Sequence, residues 1–172
     1  MIDNNVSCVT QREVVKHAAE VHSFEKQSET LHIIREATVR YRKLTAVKQQ
    51  IKGVEDVPSL FWKLVRNRVQ ENFCAFYLDT DHAVVSASLL FLGTADKAQV
   101  HPREIYQVAV LTGAVAIIVA HNHPSGNSRE SSADRLMTKR LKEAGELLGI
   151  KLLDSIVIGD PDINSALSRG WL

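Results

Sequence analysis

The stretch His121-Asn122-His123-Pro124-Ser125-Gly126 carries two imidazoles two residues apart. Alternate residues of an extended chain point to one side, so both rings face a single point in space. Asp134 lies eleven residues beyond His123, and the intervening loop is long enough to bring its carboxylate back to the pair. Two imidazoles and a carboxylate are a ligand set for zinc, and three protein ligands leave a fourth tetrahedral position for water, the arrangement of a catalytic site. Zinc lowers the pKa of such a water to ~7. The chemistry also needs a base to take the proton, and in metallohydrolases a carboxylate usually serves. Plainer uses compete for the same residues. Ser131-x-x-Asp134 is a helix capping box, and capping and ligation make rival claims on one carboxylate. Ser125 sits in Pro-Ser-Gly, which reads as a turn and not as a nucleophile.

These residues need elements to hold them. Ala114–Ala120 is a continuous apolar run, the pattern of a strand buried on both faces, and it delivers the histidines to its exit. Residues 131–148 have helical periodicity and end at Gly149. Ile150–Ile158 reads as the next strand. Upstream, Asp56–Gln70 reads as an amphipathic helix with Leu60, Phe61, Leu64, Val65 and Val69 on one stripe. Phe73–Leu78 and Ala83–Leu92 form a hairpin-like pair about Asp79-Thr80-Asp81-His82. Cys74 belongs to the first of these and reads as a small core residue. His101-Pro102-Arg103-Glu104 opens another helix, with Glu104 in its first turn, and Gly113 closes it. Asp160-Pro161-Asp162 is a turn before a short tail. The alternation predicts an α/β (α+β) sandwich with a mixed sheet.

Composition sets the bounds. The chain has 172 residues, 45% hydrophobic and 24% charged, enough for one domain with a core of its own and a short extra segment. A net charge of only +1 argues against a surface devoted to nucleic acid, which needs many excess cations. Residues 1–70 hold 12 Lys/Arg against 8 Asp/Glu. Arg40, Arg42 and Lys43 cluster there, most simply as a solvated face. Leu31–Val47 mixes periods and reads as helix or strand plus helix. The expected division is an N-terminal extension over 1–53 and a domain over 54–172. Cys8 and Cys74 are too few for a disulfide scaffold. The longest apolar run, Val108–Ala120, is too short to span a membrane, and the first residues lack signal-peptide features. The expected compartment is the cytosol.

The string His-x-His, seven residues, Ser, two residues, Asp resembles the JAMM signature of the JAB/MPN metalloenzymes at His121, His123, Ser131 and Asp134. Flanking text narrows this. Val100-His101-Pro102-Arg103-Glu104, Ala120-His121-Asn122-His123-Pro124-Ser125-Gly126 and Leu148-Gly149-Ile150-Lys151-Leu152-Leu153-Asp154 resemble the RadC-type branch, over roughly residues 55–172. The resemblance implies an MPN-like sheet flanked by helices, with one catalytic zinc at a strand exit held by His121, His123 and Asp134. It implies a glutamate general acid/base at a helix end just before the first core strand, a place that Glu71 occupies. Glu104 is the competitor, but it has a structural use at a helix N-terminus. The JAMM serine maps to Ser131, with an oxyanion-type role. Two positions depart from RadC-type text: Ser155 stands where His is usual after Leu-Leu-Asp, and Glu130 where Pro is usual. Neither is a proposed ligand. Residues 1–50 contain no Gly-rich helix-hairpin-helix of the kind longer members carry.

Three functions compete on this reading. The first is a zinc-dependent hydrolase acting on a peptide or protein substrate, at peptide or isopeptide bonds. The second is a DNA-associated RadC-type factor, for which the basic first segment is the sole support. The third is a non-catalytic MPN-like module, against which the intact ligand set argues.

Overall fold

The apolar run at the middle of the chain becomes strand β3, Ala116–Asn122, and every one of its residues is buried. It lies at the centre of the fold in the computed structural model, which describes residues 49–93 and 100–172. The other strands are β1 (Glu71–Leu78), β2 (Val84–Gly93), β4 (Lys151–Ile158) and β5 (Ile163–Ser165). They form one mixed sheet in the order β2-β1-β3-β4-β5. β3 pairs antiparallel with β1 and parallel with β4, and the outer pairs are antiparallel. Among the described residues three α-helices cover the sheet: α1 (Val57–Leu64), α2 (Pro102–Thr112) and α3 (Ser132–Leu148). The fold is α+β, as expected.

Side chains alternate across the sheet, and so the core divides in two. On one face Val57, Leu60 and Phe61 of α1 pack against Cys74, Phe76, Ile118, Ala120 and Ile156. On the other, Ile105, Tyr106 and Ala109 of α2 and Leu141 of α3 pack against Ala75, Tyr77, Ile117 and Val119. Cys74 is the core residue expected, and burial pushes its thiol up to about 12. The Tyr106 hydroxyl donates to the Leu141 carbonyl at 2.8 Å and so ties α2 to α3.

Local chemistry sets the helix ends. His101 caps α2 by accepting from the Arg103 amide at 3.1 Å, and Glu104 reaches back to the His101 amide. Glu104 is thus engaged in the capping role expected for it. Gly113 and Gly149 close α2 and α3 at φ of +66° and +69°, a left-handed conformation that glycine adopts without a Cβ penalty.

The structure corrects two element boundaries and adds a strand. The helix expected over Asp56–Gln70 ends at Leu64. Leu60, Phe61 and Val65 are buried, but Val69 is 80% exposed and lies off the core. The Asn67 side chain accepts from the Val69 amide at 3.0 Å, a local turn that competes with the helix ladder. β1 accordingly begins at Glu71, two residues earlier than expected, and Glu71 is a strand residue and not a helix end. The tail after Pro161 contains β5, which the sequence reading missed. Ile51, just before the domain boundary expected at 54, is buried with the α1 side of the core. The cluster Arg40, Arg42 and Lys43, the segment Leu31–Val47 and Cys8 lie outside the described residues. Among the described residues no helix is long and apolar enough to cross a membrane.

Candidate metal centre

β3 and β1 together aim the site. His121 is opposite Phe73 in the register of the two strands, and Glu71 is two residues before Phe73. Alternation therefore puts Glu71, Phe73 and His121 on one face of the sheet. The Phe73 ring stacks on His121 at 6.0 Å, nearly parallel. β3 ends at Asn122, and His123 opens the loop that leads to α3. A ligand atom of each of Glu71, His121 and His123 lies within 4.8 Å of the others.

Asp134 arrives from the first turn of α3. Its Oδ1 is 3.2 Å from His121 Nε2 and its Oδ2 is 3.6 Å from His123 Nε2. The two Nε2 atoms are 3.2 Å apart. Donors ~2.1 Å from a tetrahedral zinc lie about 3.4 Å from one another, so the spacing fits that ion. The tautomer of His123 fits as well. Its Nδ1 is 2.8 Å from the Asn127 carbonyl, which can only accept, so Nδ1 carries a proton, and in the neutral imidazole Nε2 keeps its lone pair for the centre. His121 is buried, and its Nδ1 has no hydrogen-bond partner among the described residues.

The cap engages one oxygen of the Asp134 carboxylate and leaves the other outside it. Oδ2 of Asp134 accepts from the Ser131 amide and from the Ser131 hydroxyl, both at 2.7 Å. Oδ1 takes no part in the cap and faces His121. Burial works to raise the Asp134 carboxyl, but hydrogen bonds from His121 and His123 outweigh it and hold it well below the usual range. The Asp134 hydrogen bond raises His123 in turn, against the opposing effect of its partial burial. Ser131 is exposed, and its hydroxyl proton is directed at Asp134; it would have to rotate to meet a substrate carbonyl.

The supports around the centre were largely invisible in the sequence. Asn122 Oδ1 accepts from both the amide and the side-chain nitrogen of Asn72 at 3.0 Å, and Asn122 Nδ2 donates to the Gln70 carbonyl at 3.1 Å. This pins the segment carrying Glu71 to the strand carrying the histidines. The one available signal was alternation, which sends the residue between two histidines to the opposite face. The departures from RadC-type text also make contacts. Glu130 binds Arg135 and Asn164. Ser155 is buried and accepts from the Thr138 hydroxyl of α3 at 2.8 Å. Ser125 is exposed in the turn expected for it.

A mixed sheet with a His-x-His strand exit facing the capped aspartate of the next helix defines a JAB-type domain. The RadC-like JAB domain profile matches residues 51–171, and the chain belongs to that family. It is similar to a UPF0758 protein of Xanthomonas euvesicatoria, 45% identical over 134 residues, which are 76% of this chain and 60% of the relative. A UPF0758 protein of Aliivibrio fischeri is 41% identical over 143 residues, 83% of this chain and 64% of that one. The matched part of the chain thus spans about three fifths of the length of these curated relatives.

Proposed function

We propose that this chain is a zinc-dependent hydrolase of peptide or isopeptide bonds. The observation that carries the reading is the convergence of two Nε2 atoms and one carboxylate at mutual separations of 3.2–3.6 Å. Two imidazole nitrogens and a carboxylate at these separations can share one cation. His121, His123 and Asp134 would hold the ion. Bound there, zinc supplies Lewis-acid polarisation of a carbonyl and acidifies a water.

The chain's own residues supply the rest. The Glu71 side chain has no hydrogen bond to another described residue, so its carboxylate is available to take a proton from the attacking water and to pass it to the leaving amine. Ser131 orients Asp134 through Oδ2 and leaves Oδ1 for ligation. Asn127 fixes the His123 tautomer, and Phe73 holds the plane of the His121 ring.

The test is metal content after zinc is supplied and excess removed. Wild type should retain a single zinc per chain, whereas His121→Ala and Asp134→Asn should lose it. Glu71→Gln should keep zinc and lose cleavage of a peptide library read by mass spectrometry. A folded wild type that holds no zinc would overturn the proposal. Loss of zinc from Glu71→Gln would make Glu71 a ligand and remove it as the base.

A further inference from the structure

A groove of about 350 Å³ starts at His123 and runs away from the centre along the α1 side of the sheet. The loop residues Pro124 and Gly126 form part of its wall, with Trp62 of α1 facing it and Ile158 and Ile163 contributing further apolar surface. A second cavity, of about 490 Å³, lies between α3 and the pair Trp171 and Leu172. None of the four residues of the metal centre lines it, so its larger size carries no weight for the reaction.

Trp62 is a fixed wall. Phe61 meets its ring edge-on at 4.9 Å, and the Arg68 guanidinium lies over it at 4.4 Å. Arg68 lines the same groove and is exposed, and no carboxylate of another described residue forms an ion pair with it. A guanidinium over an aromatic ring still has N–H donors to offer a carboxylate. The other charged residue of the lining is Asp160, of opposite sign. A polyanionic backbone needs several cations along its track, whereas this groove offers one cation and one anion.

Resting on the hydrolase reading, we infer that the groove is the substrate subsite. Its occupant is a peptide segment with an apolar side chain against Trp62 and one carboxylate at Arg68. Arg68 is thereby a specificity-determining residue. The carboxylate can come from an acidic side chain or from a peptide C-terminus, and both present the same two oxygens.

The chain has only two tryptophans, Trp62 and Trp171. Trp171→Phe therefore leaves Trp62 as the sole reporter, and the Trp171 indole nitrogen that it removes is buried without a partner among the described residues. In this background three peptides are titrated against Trp62 emission: acetyl-Ala-Leu-Glu-amide, acetyl-Ala-Leu-Gln with a free C-terminus, and the neutral acetyl-Ala-Leu-Gln-amide. An exposed ion pair gives about a two- to five-fold preference. At least one anionic peptide should bind that much more tightly than the neutral one, and which of them does names the source of the carboxylate. Arg68→Gln should abolish the preference, and Arg68→Lys should keep part of it. Equal binding of all three, no change in Trp62 emission, or a preference that survives Arg68→Gln overturns the inference. So does a single-stranded oligonucleotide that binds more tightly than any peptide and weakens with salt. Zinc content is read on the same samples. A preference shown by protein that takes up no zinc when zinc is supplied sinks the hydrolase reading and spares the subsite; zinc retained with no preference does the reverse.

Discussion

Ser131 does two things with one hydroxyl. It accepts from the Asp134 amide at 3.2 Å and donates to Asp134 Oδ2 at 2.7 Å. Loss of an N-cap costs about 1 kcal/mol, so Ser131→Ala should lower the urea midpoint by a corresponding amount in the presence of a chelator. If the hydroxyl also orients the ligand, zinc affinity should fall as well, and Ser131→Thr should restore both. Unchanged zinc affinity in Ser131→Ala would confine Ser131 to the cap. At this scale the His-x-His pair and Asp134 were legible, because ligand chemistry allows few residue types and alternation sets their direction. The sharing of Asp134 between cap and centre was not, since it depends on which oxygen faces which neighbour. Nor was the Asn127 carbonyl, because a backbone acceptor leaves no mark in residue type.

The helices and their links to the sheet bear two further tests. Gly145 lies inside α3, where alanine would ordinarily be the better helix former by ~1 kcal/mol. Here a Cβ would come within 2.4 Å of the Ile150 carbonyl oxygen and 2.5 Å of the Tyr106 hydroxyl. Overpacking costs about 1–3 kcal/mol, and the carbonyl is backbone that cannot swing aside. Gly145→Ala should therefore destabilise the fold by up to about 2 kcal/mol net, seen as a lower urea midpoint. A midpoint equal to or above wild type would show that the α3–β4 junction yields. Glu130 links the start of α3 to β5 through Arg135 and Asn164. The Arg135 hydrogen bond leads the causes that lower its carboxyl from 4.5 to about 2. A depressed carboxylate contributes stability above its unfolded pKa and loses it as pH falls toward the folded value. The stability gap between wild type and Glu130→Gln should thus be widest near pH 7 and should narrow from pH 4.5 downward. Urea midpoints at pH 7 and pH 3 check this, and a gap independent of pH would mean that the charge contributes nothing. Of these elements, Gly113 and Gly149 were legible as helix stops because the left-handed turn selects glycine. β5 was not, because Ile163–Ser165 is too short to display a period. The end of α1 was misjudged because a continued apolar stripe concealed the turn made by Asn67.

For the molecule as a whole, the question is whether the metal holds the fold or only uses it. The two core clusters on either side of the sheet are built from apolar side chains, and none of Glu71, His121, His123 or Asp134 belongs to either. Chelated protein should therefore remain folded and melt cooperatively, unlike a domain whose metal is its core. An ion bound only by the native state adds RT ln(1 + [L]/Kd), about 2.7 kcal/mol at a hundredfold excess over Kd. For a domain of this size that is roughly 5–10 °C in Tm. Zinc should raise the Tm of the chelated wild type by that order, and the shift should grow with the logarithm of zinc concentration. His121→Ala and Asp134→Asn should start lower and show no shift. Calorimetry across a zinc series separates the outcomes. A flat wild type means that the convergent side chains hold no ion, whereas a chain that unfolds on chelation means that the ion is structural. Only a folded, metal-responsive protein is consistent with a centre that keeps a coordination position for water.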